Sequence, residues 1–245
     1  MIDKKRLDDW LVEHELAPNK SQARALIMTG EVFVGGKKID KAGTPIKPDA
    51  DVTVRGQFNP YVSRGGLKLA GALDRFVDLN IAGRVALDIG ASTGGFTDCL
   101  LQRGAAKVYA LDVGYGQLAW KLRTDPRVIN IERTNFRYLE PGYFSEPIEL
   151  VVADLSFISL DKILGPLKGH LNPGADCVFL IKPQFEVGKG LVGSGGVVRD
   201  PQVRAQAIER VIQTAKDLGY QYIDGADSTL PGPKGNVEFL AWLRF

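Results

Sequence analysis

Two patterns of hydrophobic and polar positions divide the chain. Residues 1–57 show short helical repeats and short alternating runs, which predict helices at 3–17 and 19–29 and strands within 31–39 and 51–54. From residue 66 onward, apolar runs of buried-strand type alternate with helical segments. Such alternation is typical of a mostly parallel sheet that helices cover on both faces. The pattern therefore predicts a small α+β domain followed by an α/β domain.

The predicted α/β domain contains seven strands. They lie at residues 84–89, 107–112, 128–131, 148–154, 177–182, 220–224 and 237–244. A helix is predicted at 66–79, whereas residues 225–236 show no helical pattern, so we expect the last two strands to pair antiparallel at one end of the sheet. Residues 58–65 have no helical or strand period and form the predicted linker. The predicted domains are thus residues 1–57 and 66–245.

Composition and charge exclude several classes of protein. Of the 245 residues, 44% are hydrophobic, which excludes disorder throughout the chain, and a net charge of +2 identifies no partner. Two cysteines without CxxC spacing make neither a disulfide framework nor a cysteine zinc site. Charges near the N-terminus and the lack of a long apolar run predict no signal peptide and no membrane span. We expect a cytoplasmic, metal-free protein that is a monomer in solution.

The cations of the first domain lie in groups, and such grouping suits contacts with RNA phosphates. Lys20 and Arg24 are four residues apart on one predicted helix face, and Lys37 and Lys38 lie at the predicted hairpin. A solvated helix face would show the same spacing, and Arg64, in the linker, could either contact RNA or dock the linker. The expected RNA contacts are Arg6, Lys20, Arg24, Lys37, Lys38 and Arg64.

The order of residues in this domain resembles the S4-type RNA-binding domain. The similar segments begin with Arg6-Leu-Asp8 and continue through residues 19–27, 30–37 and 48–54. The resemblance implies that the second helix and the turn after it bind structured RNA. It assigns phosphate contact to Lys20, Arg24 and Lys37.

Residues 87–98 carry the most informative pattern of the second domain. A strand there enters a turn with Gly90, Gly94 and Gly95 and then a helix near Phe96, at the edge where parallel sheets bind ligands. The glycine spacing is neither GxGxxG nor GxxxxGK[ST], which disfavours pyrophosphate and triphosphate ligands. Asp112 follows the next strand and could accept both ribose hydroxyl protons of a nucleoside, although carboxylates at strand ends also cap helices.

This order of strand, loop, helix, strand and acid resembles the S-adenosylmethionine-dependent methyltransferase fold. The resemblance implies a Rossmann-like α/β sheet, S-adenosyl-L-methionine as cofactor, and a loop backbone that faces the methionine portion. The expected cofactor-binding residues are Asp88, Gly90, Ser92, Thr93, Gly94, Gly95, Phe96, Asp112, Asn135 and Asp154.

Residues at the strand ends indicate the class of methyl acceptor. Attack by a pyrimidine carbon needs a cysteine nucleophile, but both cysteines are expected in the core. Base N-methylation usually employs an Asn/Asp-Pro-Pro-aromatic loop, whereas residues 154–157 read Asp-Leu-Ser-Phe. A ribose 2′-hydroxyl is a weak acid, so a positioned base helps its attack. Four candidates can reach the same edge of the sheet: Lys68, Asp154, Lys182 and Glu238.

These four residues resemble the tetrad of FtsJ-like ribose 2′-O-methyltransferases. The chain is also similar to the hemolysin A (TlyA) family over nearly its whole length, through residues 64–68, 88–98, 154–159, 182–186 and 235–238. The resemblance implies ribose 2′-O-methylation of ribosomal RNA in assembled subunits. By that resemblance Lys182 is the base, Asp154 and Lys68 set its protonation and orient the hydroxyl, and Glu238 steadies the lysines.

Two other classes of function remain open at the level of sequence. A noncatalytic RNA-binding or ribosome-assembly factor could retain the same fold. A membrane-damaging hemolysin would require a secretion signal, a spanning segment or a cationic amphipathic helix, and the sequence shows none. The glycine-rich residues 187–201 are expected either to close over substrate or to form a disordered connection.

Overall fold

A computed structural model describes residues 4–55 and 59–245. Its internal contacts divide the chain into a first unit, Met1–Pro60, and a second unit, Tyr61–Phe245. The predicted boundary between domain and linker, at residues 57 and 58, lies outside the described residues.

The first unit is a small α+β fold with its own core. Its elements are β1 (Lys5–Arg6), α1 (Leu7–Glu13), α2 (Lys20–Met28), β2 (Val32–Val34), β3 (Lys37–Lys38), β4 (Pro45–Ile46) and β5 (Val52–Val54). Antiparallel pairing joins β2 to both β3 and β5, and β1 to β4. Gly35 and Gly36 turn the β2–β3 hairpin with φ angles of +56° and +75°, and the Asn19 side chain caps α2 by accepting from the Gln22 N–H.

The second unit alternates strands and helices. Its helices are α3 (Arg64–Arg75), α4 (Gly95–Gln102), α5 (Trp120–Arg123), α6 (Asp161–Leu167), α7 (Pro183–Glu186) and α8 (Pro201–Asp217). Its strands are β6 (Val85–Ile89), β7 (Lys107–Leu111), β8 (Val128–Ile131), β9 (Ile148–Ala153), β10 (Leu171–Ile181), β11 (Gln221–Asp227) and β12 (Phe239–Arg244). Short 3₁₀ turns lie at Phe136–Tyr138, Lys168–His170, Lys189–Leu191 and Ser194–Gly196.

Seven strands form one sheet in the order β11-β12-β10-β9-β6-β7-β8. The five strands from β10 to β8 are parallel, and β12 is antiparallel to both of its neighbours. This confirms the predicted antiparallel pair at one end of the sheet. One hydrophobic cluster packs α3 and α4 on one face, and a second packs α6 and α8 on the other. The predicted α/β class with two covered faces is therefore confirmed.

The first helix of this unit differs from its predicted bounds. It begins at Arg64 rather than at residue 66, so the last two residues of the predicted linker are helical. Its first turn packs closely on α4, where a Cβ atom on Gly95 would lie 2.8 Å from the Gly66 nitrogen. This long-range contact accompanies the early start, and local periodicity does not reveal it. The helix ends at Arg75, four residues before the predicted end.

Candidate active site

A cavity of about 360 Å³ opens at the carboxyl ends of the parallel strands of the second unit. Its walls come from the first turn of α3, the loop after β6, the ends of β9 and β10, and the prolines at positions 231 and 233. The carboxyl ends of parallel strands meet at one edge of a sheet, which is where such folds bind ligands. The cavity therefore collects side chains that lie far apart in sequence.

The loop after β6 has a backbone that few side chains tolerate. Gly90, Ser92 and Gly94 have φ angles of +84°, +50° and +96°, and only glycine adopts this region without strain. A Cβ atom on Gly90 would lie 3.0 Å from the Asp154 carbonyl oxygen. The loop thus brings backbone against the cavity. The loop residues that line it are Gly90, Ala91, Ser92, Thr93, Gly95 and Phe96, whereas the predicted cofactor contact Gly94 does not.

The side chain of Asp88, on β6, contacts the start of α4, directly after this loop. Its carboxylate is fully buried and accepts from the Thr97 N–H at 2.9 Å and the Thr97 hydroxyl at 2.7 Å. Burial raises the pKa of Asp88 to about 7, the Thr97 bonds oppose that rise, and the charges of Asp154 and Asp112 add to it. Asp88 therefore links β6 to α4 through Thr97 and does not itself line the cavity.

Asp112 lies at the end of β7 and is held by backbone groups. One carboxylate oxygen accepts from the Ser92 N–H at 2.8 Å and the other from the Gly114 N–H at 2.6 Å. The depression beside it measures only about 10 Å³. The Ser92 hydroxyl donates to the amide oxygen of Gln117 at 3.2 Å, which places Gln117 at this depression.

Asn135 stands apart from both concavities. Its side-chain oxygen accepts from the Arg137 N–H at 3.2 Å and caps the 3₁₀ turn Phe136–Tyr138. It lines neither the main cavity nor the depression beside Asp112. Asn135, which is an expected cofactor contact, therefore caps this turn.

The four predicted tetrad residues form two lysine–carboxylate pairs. Lys68 Nζ lies 2.5 Å from Glu238 Oε2, and Lys182 Nζ lies 2.5 Å from Asp154 Oδ1. Lys68 and Lys182 are only 7% and 9% exposed. Both lysines and Asp154 line the cavity, whereas Glu238 is fully buried behind Lys68. The sequence prediction that these residues meet at one edge of the sheet agrees with this geometry.

Sequence reasoning did not single out three residues beside the pair of Lys182 and Asp154. Ser156 Oγ accepts from Lys182 Nζ at 2.9 Å. Phe157 has a φ of +66° and is 90% exposed, and its ring centroid lies 5.2 Å from that of Phe185. These residues belong to the recognised motifs at 154–159 and 182–186, but a motif does not show which aromatic ring faces solvent.

The predicted RNA contacts of the first unit divide into two groups. Arg6 and Arg24 both donate to the buried carboxylate of Asp8 at 3.0 Å, and Lys20 pairs with Asp9 at 2.6 Å. The hydrogen bond from Arg6 is the main reason that the pKa of Asp8 is lowered to about 2. These three cations therefore stabilise α1 and α2 as well as facing solvent, a use that the helix pattern did not predict.

Lys37, Lys38 and Arg64 have a different environment. Lys37 and Lys38 are exposed on β3, and neither forms an ion pair within residues 4–55 and 59–245. Arg64 is exposed at the start of α3 and lines the main cavity of the second unit. Their charges are available to an anionic ligand.

The described residues hold neither a cluster of metal ligands nor a membrane-spanning helix. Across the described parts of the chain, no group of three or more His, Cys, Asp or Glu side chains is arranged to hold a metal ion. Within the same parts, none of the helices has the length and apolarity needed to cross a bilayer. Cys99 and Cys177 are both buried, as predicted, and burial raises the pKa of Cys99 to about 11.

The residues around the main cavity fit the cofactor that the resemblance implies. The cavity volume lies at the lower end of the range for small-molecule sites. Gly90 and Gly95 present backbone to the cavity, and neighbouring protein atoms leave no space for a side chain at either position. Asp112 lies one strand away, with lone pairs left for ribose hydroxyls. A nucleoside with an amino-acid tail matches this donor and acceptor set.

Comparisons with known proteins agree with this site. Residues 61–245 match the model of the FtsJ-like methyltransferase family, and residues 5–52 match that of the S4 domain. The chain is 51% identical over 245 residues to the 16S/23S rRNA (cytidine-2′-O)-methyltransferase TlyA of Mycobacterium tuberculosis, covering 100% of this chain and 91% of that protein. It is 42% identical over 237 residues to hemolysin A of Brachyspira hyodysenteriae, covering 96% and 98%.

A solved structure supports the same relationship. A hemolysin-named protein from Streptococcus thermophilus is 41% identical and superposes with a TM-score of 0.77, over 100% of this chain and 89% of that one. The family match spans well over half of the chain, and the S4 match lies before it. The chain therefore belongs to the FtsJ-like family of S-adenosylmethionine-dependent methyltransferases and carries an S4 domain ahead of the catalytic unit.

Proposed function

We propose that this chain methylates a ribose 2′-hydroxyl of ribosomal RNA within ribosomal subunits, in the cytoplasm and as a monomer. The observation that carries the proposal is the meeting of Lys182, Asp154 and Lys68 in one cavity with the loop after β6. The name of the Mycobacterium tuberculosis relative, which specifies cytidine-2′-O methylation of rRNA, supports the same acceptor.

The cofactor would lie along the loop after β6. Backbone groups between Gly90 and Phe96 would contact the methionine portion, and the carboxylate of Asp112 would accept from the ribose hydroxyls. Bound S-adenosylmethionine supplies an electrophilic methyl group on a sulfonium sulfur. Because Gln117 lies at the depression beside Asp112, its side chain would move when the ribose enters.

Lys182 would receive the proton of the 2′-hydroxyl. Its Nζ is held by Asp154 and Ser156 at 2.5 and 2.9 Å, so the amine is fixed in direction within the cavity. A neutral amine in that place accepts a hydroxyl proton as the oxygen attacks, which is general base catalysis. Asp154 then faces the ammonium that forms and stabilises it.

Lys68, which also lines the cavity, would orient the acceptor oxygen. Its ammonium lines the cavity while Glu238 binds it from behind at 2.5 Å. Removing one partner of a buried pair leaves an uncompensated charge, which costs about 3–5 kcal/mol. Glu238 is therefore a positioning residue for Lys68.

Phe157 and Phe185 would contact the base of the target nucleotide. An exposed aromatic ring beside a cavity that accepts a ribose is suited to stacking on an unstacked base, which proteins use in recognising single-stranded RNA. The first unit would add affinity for the RNA through exposed cations such as Lys37 and Lys38.

The substitution Lys182→Arg tests this function. Arginine keeps the positive charge but stays protonated, so it cannot act as a base. We expect tritium transfer from labelled S-adenosylmethionine to unmodified ribosomal subunits to fall at least a hundredfold. Cofactor affinity in calorimetry should stay within about twofold of the unsubstituted protein.

Lys162→Arg is the matched control, because Lys162 is exposed on α6 and lines no part of the cavity. It should retain full methyl transfer. Near-normal turnover of the Lys182→Arg protein would contradict the basic role and move proton removal to water or another group.

A further inference from the structure

A second concavity of about 360 Å³ lies beside the catalytic cavity in the second unit. We call it the basic groove. It is lined by residues 197–201 before and at the start of α8, by Arg204 on that helix, and by Lys234, Gly235 and Val237. Residues 231–237 lie between the two concavities, because Pro231 and Pro233 line the catalytic cavity and Lys234 lines the groove.

The walls of the groove are joined by a buried asparagine. Asn236 is 2% exposed; its Nδ2 donates to the Gly196 carbonyl and its Oδ1 accepts from the Val198 N–H, both at 2.9 Å. The Gly232 N–H donates to the Asn236 carbonyl at 2.9 Å. These bonds fix residues 196–198 against the segment that borders the catalytic cavity, so the groove is a preformed shape.

The charge of the groove is only weakly neutralised. Arg199 donates to the Ser194 carbonyl at 3.3 Å, and neither Arg199 nor Lys234 forms an ion pair with any residue that the structure describes. Arg204 lies 4.0 Å from Asp227, the outer limit for a pair. Among the described residues that line the groove, Asp200 is the one carboxylate.

Asp200 does not cancel the three cations. Its oxygen accepts from the Gln202 N–H at 2.8 Å and caps α8. Three cations and one carboxylate leave the concave surface with a net positive charge, which is expected of a phosphate site.

We infer that the basic groove binds phosphate groups of the substrate RNA strand next to the nucleotide in the catalytic cavity. The inference rests on the proposed function, since it takes the acceptor to be a nucleotide within an RNA chain. A strand whose ribose reaches Lys182 continues past residues 231–237, and the cations on the far side of that segment meet its backbone. Arg199 and Lys234 therefore contribute to affinity for RNA and leave the transfer of the methyl group unaffected.

The double substitution Arg199→Gln with Lys234→Gln tests this site. Glutamine keeps much of each aliphatic stem and its hydrogen bonding but removes the charge. The dissociation constant for unmodified ribosomal subunits should rise about tenfold at 0.1 M salt, and the slope of log affinity against log salt should fall by about two. Methyl transfer at saturating subunits and cofactor affinity in calorimetry should remain at their original values.

The matched control is Lys168→Gln with Lys216→Gln, which removes two exposed cations at the ends of α6 and α8. It should leave both the affinity and the salt slope unchanged. Equal affinity and equal slope for the groove variant and the unsubstituted protein would overturn the inference. Absence of ribose methylation by the unsubstituted protein would overturn the proposed function, and the groove would still be judged from the binding measurements.

Discussion

At the scale of single residues, burial of the Asp88 carboxylate lowers the stability of the folded protein when the group is charged. Its folded-state pKa of about 7 lies above the ordinary value of 3.8, because burial disfavours the charged form. The unfolded chain releases this proton near pH 4 and the folded chain near pH 7. The free energy of unfolding therefore falls as pH rises between these values, and the full cost is present above about pH 7.

Asp88→Asn removes this dependence on pH, because an amide does not ionise. The free energy of unfolding of the variant, measured relative to that of the unsubstituted protein, should therefore increase by about 2–3 kcal/mol between pH 5 and pH 8, which means that the variant gains relative stability. Urea denaturation at the two pH values measures the difference. Parallel pH profiles for the two proteins would show that Asp88 does not titrate in this interval.

Asp112→Ala tests the assignment of the cofactor ribose. Loss of the hydrogen bonds from two hydroxyls to a carboxylate should weaken binding of S-adenosylmethionine about tenfold to a hundredfold in calorimetry. Asp78→Ala is the control, because Asp78 is exposed and lines none of the concavities at the site. Unchanged affinity for the Asp112 variant would place the ribose elsewhere.

Single residues were predictable where a strand end and a polar side chain coincide. Lys182 and Asp154 follow apolar runs, so their common edge could be inferred from sequence. The exposure of Phe157 and the place of Gln117 depend on loop conformation, which apolar periodicity does not encode. Asn135 follows β8 in sequence, but its amide serves a cap.

At the scale of elements, the loop between β9 and α6 is held at both ends. Lys182 binds Ser156 near the start of the loop. The buried carboxylate of Glu186 accepts from the Ser159 hydroxyl at 2.7 Å and from the Leu160 N–H at 2.9 Å. α7 thus fixes the loop that carries Asp154 and Phe157.

Glu186→Ala should loosen this loop without touching the cavity. We expect kcat for methyl transfer to fall about tenfold, since small misplacements of reacting groups are costly, while the affinity for S-adenosylmethionine stays within about twofold. Glu186→Gln keeps one side-chain oxygen that can accept part of these hydrogen bonds, so this variant should recover most of kcat. A normal kcat in the alanine variant would mean that the loop is held by other contacts.

Helices and strands could be predicted from the sequence where the local pattern of apolar residues determines them. The buried strands of the sheet appear as apolar runs, and the antiparallel end pair followed from the missing helix between its strands. The two-residue ladder of β1 and β4 is too short to show a period. β10 starts at Leu171, six residues before its prediction, with an irregular register between Leu171 and Asp176 that breaks the apolar run.

At the scale of the whole molecule, each unit has a hydrophobic core of its own. Residues such as Leu7, Leu11 and Ile27 form the core of the first unit, and two other clusters form that of the second. A chain that starts at Asn59 should therefore still bind S-adenosylmethionine with near-normal affinity in calorimetry. It should lose methyl transfer to ribosomal subunits, because the RNA affinity of the first unit is gone. Full transfer by the shortened chain would contradict the RNA-binding assignment.

Total charge gave no indication of these roles. The net charge of +2 hides the grouping of cations, and only the folded chain shows that Arg6 and Arg24 share Asp8 while Arg199 and Lys234 face a groove. The order of motifs predicted which unit binds RNA and which carries the chemistry. Side-chain pairing required the structure, because it joins residues such as Lys68 and Glu238 across 170 positions.

The most direct test of the central claim identifies the product of the reaction. Unmodified ribosomal subunits are incubated with the protein and S-adenosylmethionine, the RNA is digested to nucleosides, and the methylated nucleoside is identified by mass spectrometry. The account predicts a nucleoside whose added methyl group is on the ribose 2′-oxygen, and none with the Lys182→Arg protein. A methyl group on a base, or no methylation at all, would contradict it.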